Sequence, residues 1–578
     1  MVETSLSASP ERVWRKVIVW IALFGIAGFA VRTGIDFRHW WFRTSIPVHF
    51  SDIERNWLWG AYTYYNIHDK GRSFLDTYDD VGIQDRNNRL WIDYAPARLA
   101  VNTLWVAYNH QTLPYQWIKR WNTTKDLDAI DTFYSFYRWF NTTIELLGVI
   151  AAFLLVHQVV RKTGASLEKS VGLGFLSGLL LWFNVAMINS AHGWPSGDIW
   201  IIPPFLWSVY FCRIDRWFLA GMVLGIGALF KGQQLFVMSV LILWPVFQGR
   251  WKAPLEMLLG FMTVFGLVTS GWTLTYIDDF GFRHLHFPAT LTSGAPLILG
   301  LSLFILKWTR WSPKLAQVSI FPLGKWVFGL MGTLSFASMW VFGTCYAWFD
   351  ASYLYGTDHW PKMIVGVTSN LPGLLQKRYG WSADQGPSVV VFQIVGLEIT
   401  LRVFLLIILG FFFVLSGWAL ARQDKRNSTR FLVALVTPWL AFYAIPCQIH
   451  ERYLLFAAGV ASICIGHSLG TALLGLFCTV LTTLMTWQIM FRRGDLNSLD
   501  RLLHESIPWL FDGDGFVIRL NQFIRNTHPD IGWAVLVVLG VFSYVMLTPL
   551  TRRNRANCRK PLTTSGDSPN PAYIESQI

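Results

Sequence analysis

Charge is what this chain has least of. Only 14% of its 578 residues are Asp, Glu, Lys or Arg, while 53% are hydrophobic and 16% aromatic; a soluble domain carries about 25% charged residues. A water-soluble globule is excluded, and the chain reads as an integral membrane protein. Cysteine is scarce too. The six present are scattered, several inside apolar runs (Cys212, Cys464, Cys478), and none forms a Cys-x-x-Cys pair. That removes zinc and dithiol motifs and leaves buried small apolar residues, with a Cys345–Cys447 pair near helix ends as the residual alternative. No glycine-rich phosphate loop follows a strand pattern, and no internal repeat is visible. The first apolar run, about Val17 to Val31, ends in Val31-Arg32-Thr33-Gly34, a poor cleavage site for a signal peptide. It reads as an uncleaved first helix with a cytoplasmic N-terminus.

What is present is aromatic and basic. Thirty-one Trp residues suit membrane interfaces as well as walls around a sugar or a lipid. A net charge of +13 points to cytoplasmic loops rather than nucleic acid, because membrane proteins collect Lys and Arg there. Apolar segments of about twenty residues centre near Val149, Leu180, Leu206, Val223, Val240, Phe265, Leu301, Leu334, Leu406, Val436, Gly459, Leu481 and Val538. With the first helix this predicts about fourteen transmembrane helices in an all-α polytopic membrane protein. Arg161-Lys162, Arg213 with Arg216, Arg250 with Lys252, Lys307 to Lys314, Arg422 to Arg430 and the basic tail all fall on the starting side, as the positive-inside rule requires. Residues 35–138 form a first outer loop, too aromatic to be a disordered linker and expected to be helical. A second long outer loop covers 350–390. An outer insert and a last helix cover 491–550, and 551–578 is a polar, basic tail with the composition of disorder, placed to touch anionic lipid.

This topology gathers the unusual polar residues on one side. Asp52 and Glu54 lie in Ser51-Asp52-Ile53-Glu54-Arg55-Asn56-Trp57. Asp198 ends the turn His192-Gly193-Trp194-Pro195-Ser196-Gly197-Asp198. Asp358, His359, Lys362, Lys377 and Arg378 lie in the long outer loop, and His450-Glu451-Arg452-Tyr453 forms a polar knot between two apolar helices. Lys231 joins them. An ionisable residue at a helix centre costs about 2.5–3.5 kcal/mol on insertion scales, so charges near lipid sit at the edge, face a cavity or act. Simpler roles stand beside each: Asp198 as a helix cap, Lys231 as a snorkelling helix end, Glu54 with Arg55 as a solvated pair, and Asp93 with Tyr94 as a helix start before Pro96. Clustered cations suit a lipid phosphate, a carboxylate suits an acceptor hydroxyl, and aromatic faces suit sugars and polyprenyl chains. Together they point to glycosyl transfer from a lipid-phosphate sugar.

Four elements carry a resemblance. Ser51-Asp52-Ile53-Glu54, Asp93-Tyr94-Ala95-Pro96, the turn ending in Asp198, and Ile449-His450-Glu451-Arg452-Tyr453-Leu454 resemble those of GT-C glycosyltransferases. Nearest among these are the dolichyl- or polyprenyl-phosphate-sugar mannosyl- and glucosyltransferases and their bacterial relatives. The resemblance covers the layout as far as about Met490. It departs where Ala95 interrupts the Tyr-Pro-Pro form and where the Asp198 loop lacks the usual Gln. It implies a GT-C-like fold and inverting transfer on the outer face, to a lipid-linked glycan, a polysaccharide or a protein. Asp52 would be the general base with Glu54 beside it, and His450, Arg452, Lys231 and Arg378 would hold the donor phosphate. Asp198, Glu451, Asp93, Tyr94 and His359 would complete the site. A monophosphate donor needs no cofactor, while the Asp-x-Glu pair leaves a divalent metal as an option. The His-Glu-Arg-Tyr form implies a bacterial cytoplasmic membrane rather than the endoplasmic reticulum. A lipid-linked glycan flippase, or a polysaccharide polymerase or ligase, are the alternatives.

Overall fold

A computed structural model describes residues 10–45, 51–81, 92, 94–110, 127–309, 320–354, 368–380, 388–394, 396–493 and 515–548. Asp93, Asp358, His359, Lys362 and the tail beyond residue 548 lie outside the described residues, as does most of the insert between 494 and 514. The apolar runs fold as helices, because a chain deprived of water must satisfy its N–H and C=O groups internally. Six described helices are long and apolar enough to cross a membrane: Ile18–Arg43, Asp131–Lys162, Leu167–Gly193, Phe287–Trp308, Leu401–Lys425 and Leu469–Met490. A seventh is formed if Ile518–Thr527 and Gly532–Leu547, bent by 68° at their junction, count as one. Trp217–Phe230, Gln233–Phe247 and Arg430–Ala444 are apolar but shorter; at 1.5 Å per residue each reaches about 21–23 Å, less than a bilayer core. Side chains such as Phe24, Leu299, Ile407, Phe411 and Val537 stay exposed on these helices, as a lipid-facing surface requires.

The elements that matter for the site are these. Helix α1 spans Pro10–Ser45, α2 Ser51–Lys70, α3 Pro96–Asn109, α4 Leu127–Lys162, α5 Leu167–Trp182 and α6 Ile202–Arg213. They are followed by α7 Trp217–Phe230, α8 Gln233–Phe247, α9 Lys252–Val268 and α10 Leu371–Tyr379. Helix α1 runs as one 36-residue helix, well past the predicted end of its apolar run. The cause is that Arg38, deep in its last third, has partners that let it be buried. The 35–138 segment is mainly helical where described, with α2 packed on α3. Helices α7 and α9 cross backbone to backbone: a Cβ on Gly221 would lie 1.9 Å from the Met257 carbonyl oxygen, and one on Gly260 1.9 Å from that of Phe218. Only glycine permits that approach.

Among the described residues, two short hairpins interrupt a mainly helical chain, Thr275–Ile277 with Arg283–Leu285 and Val390–Ile394 with Leu397–Thr400. Both were unanticipated. Each closes through a glycine with positive φ, Gly281 at 82° and Gly396 at 78°, and β-branched residues such as Val390, Val391, Ile399 and Thr400 favour the extended arms of the second. The first is tied to the segment after α2 by Arg283, whose Nε donates to Asp76 at 2.8 Å and whose guanidinium also pairs with Asp79. Cys345 and Cys447 are both free thiols.

Candidate functional site

Between α5 and α6 the regular helix is interrupted, at Phe183-Asn184 and again at Trp194–Gly197, and the chain continues in short helical turns. Asn184 caps a single turn at Met187, and its amide reaches Ala458 and Thr479 across the bundle. Asn189–Gly193 then forms a π-type turn. Gly193 fits because a Cβ there would meet Asn189 and Trp41 at 2.5 Å. Gly197 follows with φ of 69°, a left-handed conformation that glycine adopts at little cost. Asp198–Ile201 is a 3₁₀ turn, and Pro203-Pro204 start α6, where a missing N–H is harmless.

This broken segment is held from one side by a fully buried Arg–Glu ion pair joined by a histidine. Arg38 donates from Nε and Nη2 to the two oxygens of Glu145 at 2.8 and 3.0 Å, and from Nη1 and Nη2 to the Gly34 and Trp182 carbonyls. His192 Nε2 lies 2.9 Å from Glu145 Oε2. Asn141 donates to the Ala191 carbonyl at 2.6 Å and accepts from Trp200 Nε1 at 2.7 Å, so α4 clamps the turn at both ends.

From the other side it presents Asp198. The carboxylate is fully buried. Its Oδ1 pairs with Lys231 Nζ, its Oδ2 lies 2.9 Å from Arg452 Nε, and Ser196 Oγ donates to Oδ2 at 2.7 Å. Lys231 ends α7, and its ammonium sits 4.7 Å from the Tyr453 ring and 5.9 Å from the Tyr94 ring. It is 4% exposed, so it is not a snorkelling helix end, nor does the Asp198 side chain serve as a cap. Arg452 lies over Trp194 at 5.6 Å. Its neighbour Glu451 is buried, which alone would raise its carboxyl; His450, 3.8 Å away, and Arg452 outweigh that and hold it below the ordinary glutamate range. Glu451 is therefore ionised at neutral pH. Aromatic faces, two cations and a shared carboxylate line one small region.

No family model matches the chain, and no curated protein matches it.

The geometry sorts the expected residues. Asp198, Lys231 and Arg452, which are far apart in the chain, form one cluster, with Tyr94 beside Lys231 and with His450 and Glu451 adjoining. Arg378 is exposed at the end of α10, and its neighbour Lys377 pairs with Asp530 at 2.6 Å; neither touches the cluster. Glu54 is half-buried on α2, the helix that also carries Asp52 in its first turn. His359 and Asp93 lie outside the described residues. No three His, Cys, Asp or Glu side chains gather as metal ligands would among the described residues.

Two neighbours of the cluster escaped the sequence reading. Asn56, one helical turn after Asp52, is buried; it donates to the Pro195 carbonyl at 3.5 Å and accepts from Arg98 Nη2 at 3.0 Å. Arg98 itself is buried in the first turn of α3, its guanidinium 3.5 Å from the Tyr94 ring centroid. The i, i+4 spacing of Asp52 and Asn56 on a helix was the available signal for Asn56.

Proposed function

We propose that this chain is a GT-C type membrane glycosyltransferase. It would move a sugar from a polyprenyl-phosphate donor to a lipid-linked glycan, polysaccharide or protein acceptor, with inversion, at the outer face of a bacterial cytoplasmic membrane. The observation that carries the proposal is the buried Asp198 carboxylate shared by Lys231 and Arg452 among Tyr94, Trp194 and Tyr453. Lys231, Arg452 and the neighbouring Arg98 outnumber the carboxylates of Asp198 and Glu451, which suits a phosphodiester whose leaving phosphate gains charge as the glycosidic bond breaks. In this reaction the anomeric C–O bond to phosphate breaks and the acceptor oxygen takes its place. The acceptor proton passes to Asp52 as general base, a role that contributes about 10²–10⁴-fold in rate. Lys231, Arg452 and His450 would meet the departing polyprenyl phosphate, and Asp198 would keep the cations aimed while the site is empty. The finer topology of fourteen crossings belongs to the same proposal, with the shorter apolar helices counted among the spans.

One observation favours a transporter of lipid-linked glycans: a buried charge pair beside a broken helix, Arg38 with Glu145, suits a substrate path through a membrane. Residue count argues against it. Glu145 lies seventeen residues before Lys162, about 25 Å along the helix, which puts the pair at the margin of a bilayer core of about 30 Å.

Transfer of labelled sugar from synthetic polyprenyl-phosphate donors by the purified protein in lipid discriminates between the two. Turnover that collapses in Asp52→Asn and Arg452→Ala supports the enzyme. Movement of lipid-linked sugar between leaflets without release of polyprenyl phosphate makes it a transporter.

A further inference from the structure

The protein buries two arginines completely enough to compare them. Arg38 is 1% exposed and Arg98 2%. Arg38 uses Nε, Nη1 and Nη2, meeting both oxygens of a carboxylate and two backbone carbonyls. Arg98 makes one hydrogen bond, from Nη2 to Asn56 Oδ1, while its Nε and Nη1 are buried with no partner. The stack on Tyr94 offers partial compensation for the charge but accepts no N–H bond in the guanidinium plane. A buried cation with two unmet donors is costly, and such groups are retained where something else completes them.

Place says what that is. A Cβ on Gly197 would sit 3.4 Å from Cζ and Nη1 of Arg98, so the guanidinium lies against the turn that presents Asp198. The Tyr94 ring beneath it is the ring that Lys231 approaches to 5.9 Å. We propose that Arg98 is an anion-binding residue of this site, its free Nε and Nη1 donating to the oxygens of a phosphate group that Lys231 also faces. Naming the anion as a phosphate rests on the transferase proposal; an anion at Arg98 does not. The lipid phosphate of a polyprenyl carrier and free phosphate share this chemistry.

The test compares wild type with Arg98→Gln in nanodiscs, reading the shift of thermal unfolding as polyprenyl phosphate, inorganic phosphate or uncharged polyprenol is titrated. Stabilisation by polyprenyl phosphate and not by polyprenol, with affinity at least about tenfold weaker in Arg98→Gln, is expected and assigns the lipid as source. The same loss seen with inorganic phosphate alone supports the subsite and assigns free phosphate. Equal affinity in the two proteins, or no response of wild type to either anion, overturns it. Should Arg98→Gln fail to fold, Arg98→Lys makes the comparison: affinity weakened by about two- to tenfold is expected from the loss of the guanidinium donors, and unchanged affinity overturns the proposal. Arg98-dependent binding without sugar transfer leaves the subsite standing and removes the transferase, whereas transfer with Arg98-independent binding does the reverse.

Discussion

Replacing Asp198 by Asn should damage the fold more than replacing Lys231 by Met, although the two side chains form the same ion pair. Truncating Lys231 leaves the carboxylate with Arg452 at 2.9 Å and the Ser196 hydroxyl at 2.7 Å, so its charge is still met. Neutralising Asp198 leaves two cations facing each other around an amide, one of them 4% exposed and the other 13%. Removing one partner of a buried ion pair costs about 3–5 kcal/mol, and Asp198 is the partner of both cations. Asp198→Asn should reach that range, while Lys231→Met should cost about 1–3 kcal/mol, the scale of a buried group that keeps other partners. The double substitution should cost less than the sum of the two by at least about 1.5 kcal/mol, as close charge pairs do in such cycles. Reversible unfolding in mixed micelles, with denaturing detergent as the variable, measures all three. Additive costs, or Lys231→Met as the more damaging change, would refute the shared-carboxylate picture.

The remaining expectations concern the surroundings of the cluster. Glu145→Gln should destabilise by about 3–5 kcal/mol, because it strips the charge that meets Arg38 and His192, and Arg38→Met in that background should recover part of the loss; a null effect in the unfolding assay would show that these three side chains do not hold the turn. Glu451 titrates below the ordinary value of 4.5, so its contribution is fully present above that pH and is lost as pH falls through its lower folded value; unfolding midpoints followed downward from neutral pH should show a fall that Glu451→Gln flattens, and an identical profile in both proteins would contradict the assignment. Gly221→Ala places a methyl group 1.9 Å from the Met257 carbonyl oxygen, and the overpacking should cost at least about 1–3 kcal/mol; a variant as stable as wild type would mean that α7 and α9 do not touch there.

What could be read in the sequence was whatever a local pattern carries. Apolar runs announced helices, and the charged residues between them announced a polar region, since both follow from transfer free energies along a few consecutive residues. Which charge meets which could not be read that way. Lys231 and Asp198 are 33 positions apart, and Arg452 is further still; nothing local distinguishes Lys231, buried against Asp198, from a lysine that snorkels at a helix end. Arg378 shows the opposite error, as its place in a loop full of cations gave it the same apparent credentials as Arg452, yet it ends exposed on α10. Arg98 escaped because it sits within an amphipathic helix of the 35–138 segment, where an arginine reads as solvent-facing until the packing of α2 on α3 closes over it. The turn from His192 to Asp198 was legible as a polar break between the apolar segments near Leu180 and Leu206, but its internal form, a π-type turn at Asn189–Gly193 and a left-handed Gly197, follows from tertiary fit.

That interruption explains why two charged networks coexist so close to apolar helices. A continuous helix from Leu167 to Arg213 would aim its side chains around a cylinder and could not present His192 to Glu145 while turning Asp198 toward Lys231 and Arg452. Breaking it frees backbone groups that must be satisfied, and Asn184, Asn141 and Asn56 each meet part of that demand from side chains. The result is a turn held on several sides, with Asp198 buried and its neighbours fixed. A group held this rigidly costs little reorganisation when charge develops beside it, as electrostatic stabilisation of a leaving phosphate requires. If the transferase proposal holds, a lipid-borne substrate would reach Tyr94 and Arg98 by movement of the elements opposite the turn, because displacing the turn itself would uncover Asp198 and Glu145 together.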